Sequence, residues 1–547
     1  MNTKTLFRIH GWLGLNLGIL LYVICLSGSI AVFGPELDWL IQSERRVDPP
    51  TPEAQPLSWG DLYNRVKEAH PHAIVTGFQA APGKRSAVTA QVAYPPRDTR
   101  QVFINPFSGE VQGQSSTFGV KSFFRIFHKQ FYIVPAGMGF HGTLLVGAFG
   151  VVLLFSVVTG LLFYRGWWKS LFKLRRDGNW RIFWSDLHRL LGVWSLLVAL
   201  VIALTGIWYL VERTGWMRGI VAAAEPSSVR MAAPVDRGSI LQVLPLDDLV
   251  AKAQAALPEL KIDFIRLPAR VGETFWVWGQ SGAWIARSRA NQVVLDPYSG
   301  EVLSVREAKK LPLAARLIES ADPLHFGTFG GFATRLIWFV AGLALSVGIL
   351  AGATIHYLRT ARDDQAGTAR RRWEVRLSEI VTIGVLVMGA ISAVEFIDNQ
   401  ISGGTNGSVR PLAQFDFVDQ PARLQVYDSP SSDRQMIGIV LPEGSHPNIT
   451  GAILVNQSST NAIRLRLMGN MMIGSVARGE LWEGPLELGA RFAGGQRERV
   501  SISAANSQAA GGLLPAPPGV PLAVYILIGC FGVLVLLPLL CWPRRFL

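Results

Sequence analysis

Six stretches of this 547-residue chain are apolar over a length that crosses a bilayer as a helix: about 11–33, 140–164, 188–211, 332–357, 377–396 and 521–541. The hydrocarbon layer is about 30 Å thick, which takes about 20 residues of α-helix. No water is present there to satisfy backbone N–H and C=O groups, so such a run is held to helical geometry. Charged residues make up 17% of the chain and mean hydropathy is +0.29, against about 25% charged residues in a soluble globular domain. The three cysteines, Cys25, Cys530 and Cys541, all lie in or beside apolar runs, which excludes a disulfide framework and a thiolate metal site. The expected fold class is a polytopic α-helical membrane protein of about six transmembrane helices, with extracytoplasmic α+β modules and an additional β-rich domain.

A net charge of +13 suggests nucleic acid until it is mapped. Glu36 to Gly119 holds 8 basic and 9 acidic residues, Glu212 to Asp322 holds 14 and 13, and Asp398 to Val520 holds 9 and 10. The surplus sits in short linkers, with 7 basic and 2 acidic residues from Arg165 to Arg189. Basic short loops on one side and balanced long segments on the other are the positive-inside pattern. Nucleic acid is rejected as a partner, and the lipid bilayer takes its place. Both termini are expected in the cytoplasm and the three long segments outside. The first apolar run is longer than a signal-peptide core and no A-x-A-like site follows it, so it is read as a retained anchor.

The resulting plan is helix one over 1–33, a module over 34–125, and a pre-helix segment with helix two over 126–164. A basic linker (165–187), helix three (188–211), a second module (212–324) and a pre-helix segment with helix four (325–357) follow. A second basic linker (358–376), helix five (377–396), a β-rich domain (397–520) and helix six with its tail (521–547) complete it. An internal repeat underlies the first two thirds. His10-x-x-Leu13-Gly14 with Ser27-Gly28 matches His188-x-x-Leu191-Gly192 with Thr205-Gly206, the His-to-Gly offsets being 4 and 18 in both. Outside the helices, Asn105-Pro-Phe-Ser-Gly-Glu110 matches Asp296-Pro-Tyr-Ser-Gly-Glu301, a strand end followed by a turn whose Gly permits positive φ. Both halves have the same orientation, so their pseudo-two-fold axis runs along the membrane normal.

Six of the nine histidines lie at helix ends: His10, His188 and His356 on the cytoplasmic side, His128, His141 and His325 on the external side. Ionisable residues at membrane depth are expensive and mark function by default. A single histidine at a helix end is more often an interfacial anchor, but these recur between the halves and populate both sides. Two imidazoles from neighbouring helices hold a six-coordinate haem iron, and without a Cys-x-x-Cys-His motif the haem is b-type. His10 with His188 and His128 with His325 are the preferred pairs, giving two haems. His141 and His356 are alternates that replace a ligand, complete a third haem or contact a propionate. Zinc is disfavoured, because no Asp, Glu or Cys joins the clusters at ligand spacing. Gly14, Gly18, Gly28, Gly192 and Gly206 either admit a flat macrocycle or pack helices.

Taken together, His10-Gly-Trp-Leu-Gly-Leu15, the two Pro-x-Ser-Gly-Glu motifs, Asp186-Leu-His-Arg-Leu-Leu-Gly192, Ala203-Leu-Thr-Gly206 and Leu324-His-Phe-Gly327 resemble the PepSY-associated transmembrane family of bacterial inner-membrane proteins. The resemblance covers about residues 1–360. It implies PepSY-like periplasmic modules, a multi-pass place in the inner membrane, and the chemistry of haem-containing ferric-siderophore reductases: one-electron reduction of a periplasmic Fe(III)-siderophore and release of Fe(II). The family's helix-end histidines carry over to His10, His128, His188 and His325. Helices five and six and the 397–520 domain depart from the minimal four-helix form. The electron donor, a cytoplasmic protein or a quinol, has no binding fingerprint in the chain. The competing reading is a non-enzymatic membrane protein whose modules regulate or inhibit a protease, with no cofactor.

Overall fold

The computed structural model describes residues 3–48, 51, 54–94, 98–132, 139–164, 166, 168, 171–176, 180–215, 240–269, 272–363, 382–394, 408–428, 434–457, 462–468, 470–477, 485–492, 495–502, 512–513 and 518–541. Four helices among them are long and apolar enough to cross a membrane: Gly18–Ile41, His141–Leu162, Leu196–Thr214 and Thr328–Ile355. Two shorter apolar helices, Thr382–Val394 and Leu522–Leu536, cover the described parts of the fifth and sixth apolar stretches. The second basic linker (358–376) lies largely outside the described residues.

The first and third apolar stretches are each two helices rather than one. Helices α1 (Thr3–Asn16) and α2 (Gly18–Ile41) break at Leu17, and α6 (Trp180–Trp194) and α7 (Leu196–Thr214) break at Ser195. Both breaks fall seven residues after the repeated histidine, His10 or His188. Their causes differ. Leu17 stands between Gly14 and Gly18, while the Ser195 hydroxyl bonds back to the Leu191 carbonyl at 2.7 Å and competes with the helical ladder. With α5 (Gly139–Phe163) against α7, and the long C-terminal helix of the second half (Gly331–Asp363) against α2 and α6, the helices close around an apolar core including Val23, Phe127 and Ala203. Phe155, Leu162, Leu200, Leu204 and Val340 face outward. An apolar belt of this kind is a membrane-facing surface.

The two modules share one sheet. Its strands run β4-β3-β2-β1-β6-β7-β8-β9, where β1 is Ile74–Gln79, β2 Val88–Tyr94, β3 Asp98–Ile104, β4 Val111–Ser116, β6 Lys261–Arg266, β7 Phe275–Gln280, β8 Gln292–Leu295 and β9 Val302–Arg306. The order is mirrored about the antiparallel β1–β6 pair, in which Phe78 faces Ile265. The repeated motif makes the same turn twice. Asn105 Oδ1 accepts from the Phe107 and Ser108 amides, and Asp296 Oδ1 accepts from those of Tyr298 and Ser299. Gly109 and Gly300 then take φ of 73° and 72°, in the left-handed region that glycine tolerates. On one face of the sheet lie α3 (Trp59–Ala69), capped by Ser58, and its counterpart Leu246–Ala256. Asp247 joins the pair by accepting from the Ser58 hydroxyl at 2.7 Å and the Gly60 amide at 2.8 Å.

The C-terminal β-rich domain is a second sheet, of nine strands. Its strands include Gln420–Asp428, Arg434–Val440, Ile449–Asn456 and Ala462–Met468. Strands Ser408–Phe417 and Arg497–Ile502, near opposite ends of the order, lie against each other, so the sheet curls nearly closed on a core of Leu424, Ile439, Leu454 and Leu488. It docks on the second module where β5 (Ile240–Gln242) pairs with Ser445–Pro447. There His446 Nδ1 shares a 2.8 Å hydrogen bond with the Tyr298 hydroxyl. Burial pushes the His446 imidazole down to about 4, partly opposed by Glu273. The folded state therefore binds fewer protons than the unfolded state between about pH 6.5 and 4, and this contribution to docking is complete above that window and lost as pH falls through it. Hydrogen exchange at Leu241 and His446, corrected for intrinsic rates, is expected to accelerate between pH 7 and 4.5 and to lose that pH dependence in His446→Phe. Unchanged protection in the wild type contradicts the assignment.

Candidate functional site

Four of the six helix-end histidines meet in two pairs. The His10 and His188 rings lie 6.2 Å apart by centroid at the end of the bundle away from the sheets, and those of His128 and His325 lie 6.0 Å apart at the end nearest them. Each pair draws one member from each half of the repeat. With a metal–nitrogen bond of about 2.0–2.1 Å and a ring centroid about 1.1 Å behind the nitrogen, two imidazoles on opposite sides of one ion lie about 6.3 Å apart. The centroid separations of both pairs are close to that value.

Each ring is held by its own half through Nδ1. His10 bonds Thr159 Oγ1 at 3.0 Å and also engages the Ser156 backbone. His188 bonds the Gly348 carbonyl at 2.7 Å. Ser156 and Gly348 are equivalent in the repeat, each four residues before a glycine, Gly160 or Gly352, that lies against the imidazole. At the other end, His128 bonds the Ile24 carbonyl at 2.8 Å and His325 bonds Thr205 Oγ1 at 2.7 Å. Fixing Nδ1 selects the tautomer and ring orientation, so Nε2 is the nitrogen through which each ring would bind a metal.

Glycines supply the room. A Cβ on Gly28 would stand 2.7 Å from His128 Cε1, and one on Gly352 would stand 2.8 Å from His188 Cε1. Gly14 and Gly192, repeat-equivalent and one turn beyond His10 and His188, face open space. Gly18 lies against Ala353 and Gly206 against Gly150, so both pack helices. His128 is presented by α4 (Val120–Gln130), whose N-terminus is capped by the Asp38 carboxylate through the Val120 and Lys121 amides. Just past it, Phe131 and Tyr132 take φ of 51° and 52°. Left-handed geometry costs about 1–2 kcal/mol at a residue other than glycine, and dense packing with Phe123, Phe127 and the surrounding core holds it.

His325 sits in the short helix Ala321–Phe326, against Tyr209 one turn beyond Thr205. The Tyr209 hydroxyl donates to Asp322 at 2.6 Å, and Arg287 pairs with the same carboxylate at 2.8 Å. Near His188, Asp186 is clasped by Arg175 and Arg189, which lower its carboxyl to about 2 and tie the preceding linker to the middle of α6. His141 is exposed in the first turn of α5 and joins neither pair. His356 lies in the helix Gly331–Asp363, but its side chain is outside the described residues. No group of three or more His, Cys, Asp or Glu at metal-binding distance occurs among the described residues. Sequence reasoning missed Thr159, Ser156, Gly348 and Tyr209. The offset of four to the already noted Gly160 and Gly352 was the one signal that could have found Ser156 and Gly348.

A family model described as the PepSY-associated TM region matches residues 7–359, about two thirds of the chain. An uncharacterized protein of Pseudomonas aeruginosa is 26% identical over 280 residues, covering 48% of this chain and 69% of its own length.

The glycine seats give a graded test. Gly28→Ala and Gly352→Ala force an imidazole off its position and are expected to destabilise by about 1–3 kcal/mol, the usual cost of overpacking. Gly529→Ala, in the helix Leu522–Cys541 and with nothing within 4 Å of its Cβ, is expected to leave stability unchanged. Thermal unfolding of the three variants in one detergent measures both. Equal midpoints for all three contradict the seating role.

Proposed function

The chain belongs to the PepSY-associated TM family, and from that premise we propose that it is a haem b electron-transfer protein that reduces a ferric siderophore outside the bacterial inner membrane. The observation that carries this reading is the pair of histidine clasps at opposite ends of the bundle. The levels of the clasps are 14 residues apart in α1–α2, from His10 to Ile24, and 17 apart in α6–α7, from His188 to Thr205. At 1.5 Å per residue that is roughly 20–25 Å, most of the thickness of the hydrocarbon layer.

The residues fit the group. Two histidine pairs with ring centroids 6.2 and 6.0 Å apart, Nδ1 anchored in all four rings, and open space at Gly14 and Gly192 would suit a planar macrocycle better than a small ion, which needs more ligands than two. When bound, haem b supplies reversible one-electron Fe(III)/Fe(II) chemistry at each clasp. His10 and His188 would hold the cytoplasmic member, and His128 and His325 the periplasmic one. Thr159, Ser156, Gly348, Ile24 and Thr205 orient the imidazoles. The apolar core between the clasps excludes water. In this topology there are six membrane-spanning helices, the cytoplasm holds both termini and the basic linkers, and the PepSY-like modules and β-rich domain lie in the periplasm. The donor is a cytoplasmic reductase or a quinol, and the reduced chelate releases Fe(II) because it binds that ion more weakly.

Pyridine-haem quantitation of the purified protein is expected to give two haems per chain, falling to one in His188→Ala and in His325→Ala. Dithionite-reduced wild type is expected to be reoxidised by a ferric siderophore, and His325→Ala to lose that reaction. Full haem content and full reoxidation in either variant sink the pairing, and a colourless protein after expression with adequate haem sinks the reading as a whole.

A further inference from the structure

Helix α4 carries Lys121, Arg125 and Lys129 at i, i+4 and i+8, all exposed, while Phe123, Phe124 and Phe127 face the core. The helix runs antiparallel to α2: the Lys121 Cα lies against Gly34, and the His128 ring against Gly28. The cationic line therefore descends along α2, and its rise from Lys121 to Lys129 is about 12 Å. It ends beside His128. Like charges at i, i+4 repel one another, and among the described residues no carboxylate forms an ion pair with any of the three. Two acids stand near Lys121: Glu36, which pairs with Arg335 at 2.6 Å, and Asp38, whose oxygens are taken by the Val120 and Lys121 amides. Arg213, at the end of α7, adds its field: burial, then Arg125 and Arg213, push the Lys129 ammonium down. In the topology proposed above these cations stand on the side where the positive-inside rule expects few.

We propose that Lys121, Arg125 and Lys129 form a guide that binds an anionic ferric chelate and delivers it to the His128–His325 pair. This deepens the proposed function and rests on it for the purpose of the site, though not for the binding itself. A closely spaced set of cations, of which Arg125 and Lys129 pair with no carboxylate among the described residues, focuses potential and concentrates an exchangeable anion. Phospholipid phosphate is the other anion at hand. Headgroups lie in one layer, whereas this line runs about 12 Å along a helix packed against a membrane-spanning one. The descent toward the histidines favours a small soluble anion. Neutral hydroxamate chelates lack the charge to use the guide, so it makes the protein selective for catecholate- or carboxylate-type iron complexes.

Gallium(III) chelates test this without electron transfer, because Ga(III) copies the charge and shape of Fe(III) and is not reduced. Full-length protein in phosphatidylcholine nanodiscs would be titrated calorimetrically with the anionic Ga(III)–enterobactin and the neutral Ga(III)–ferrichrome. The anionic chelate is expected to bind at least about tenfold more tightly, to weaken with salt, and to lose about tenfold or more in Arg125→Gln/Lys129→Gln. Arg125→Lys/Lys129→Arg is expected to restore binding, which separates charge from folding. Equal affinity for the two chelates, or an unchanged Kd in the Gln variant, overturns the proposal. So does native mass spectrometry in which phosphatidylglycerol stays on the wild type, leaves the Gln variant and blocks the chelate, which makes the line a headgroup site. A colourless protein that still binds the anionic chelate through these residues upholds the guide and overturns the haem reading.

Discussion

A buried imidazole has two ring nitrogens, and in an apolar bundle each must find a partner or cost the fold. Every other feature of the membrane region follows from how that demand is met four times. Each half of the repeat satisfies Nδ1 of its own two histidines, from Thr159 and Ser156 or Gly348 at one end and from Ile24 or Thr205 at the other. Neither half provides the facing ring. The rings meet only across the pseudo-two-fold axis, so assembling the halves and assembling the clasps are one event. The glycines, the helix breaks at Leu17 and Ser195 and the strained end of α4 bring rings and backbone to that meeting.

The same axis governs the region outside the bundle. Two modules that might have folded apart are joined edge to edge at β1 and β6, which ties the connections of both halves to a single rigid sheet. The symmetry is incomplete at the sheet-proximal pair. Thr205 interposes a hydroxyl at His325 where His128 uses a carbonyl directly. Among the described residues, His325 has a Tyr209–Asp322–Arg287 chain beside it that His128 lacks, and in the first half it is α4 that carries the cations. The two halves thus give the sheet-proximal pair unlike surroundings.

The repeat made much of this legible. His10 and His188 share their offsets to Gly14 and Gly192, and equivalence across a two-fold axis is enough to pair them. The His128–His325 pair was harder, because their offsets to Gly160 and Gly352 differ, yet both precede the second helix of their half. Turn chemistry was also readable, since Asn105 and Asp296 with their downstream glycines permit few alternatives. Other features were hidden for physical reasons. A carbonyl at Gly348 that holds His188 has no side chain to announce it. The continuous sheet depends on the register between Phe78 and Ile265, far apart in sequence. The breaks at Leu17 and Ser195 fall inside runs whose hydropathy never drops, so a span of apolar residues reads as one helix where there are two.

The central claim is that both histidine pairs clasp haem iron from opposite sides, and low-temperature electron paramagnetic resonance of the air-oxidised full-length protein addresses it most directly. Iron with two axial imidazoles is six-coordinate and low-spin. The account predicts two low-spin ferric signals, one lost in His10→Ala and the other in His128→Ala, with no high-spin component in the wild type. A high-spin ferric signal from the wild type, or no ferric haem signal at all, would contradict it.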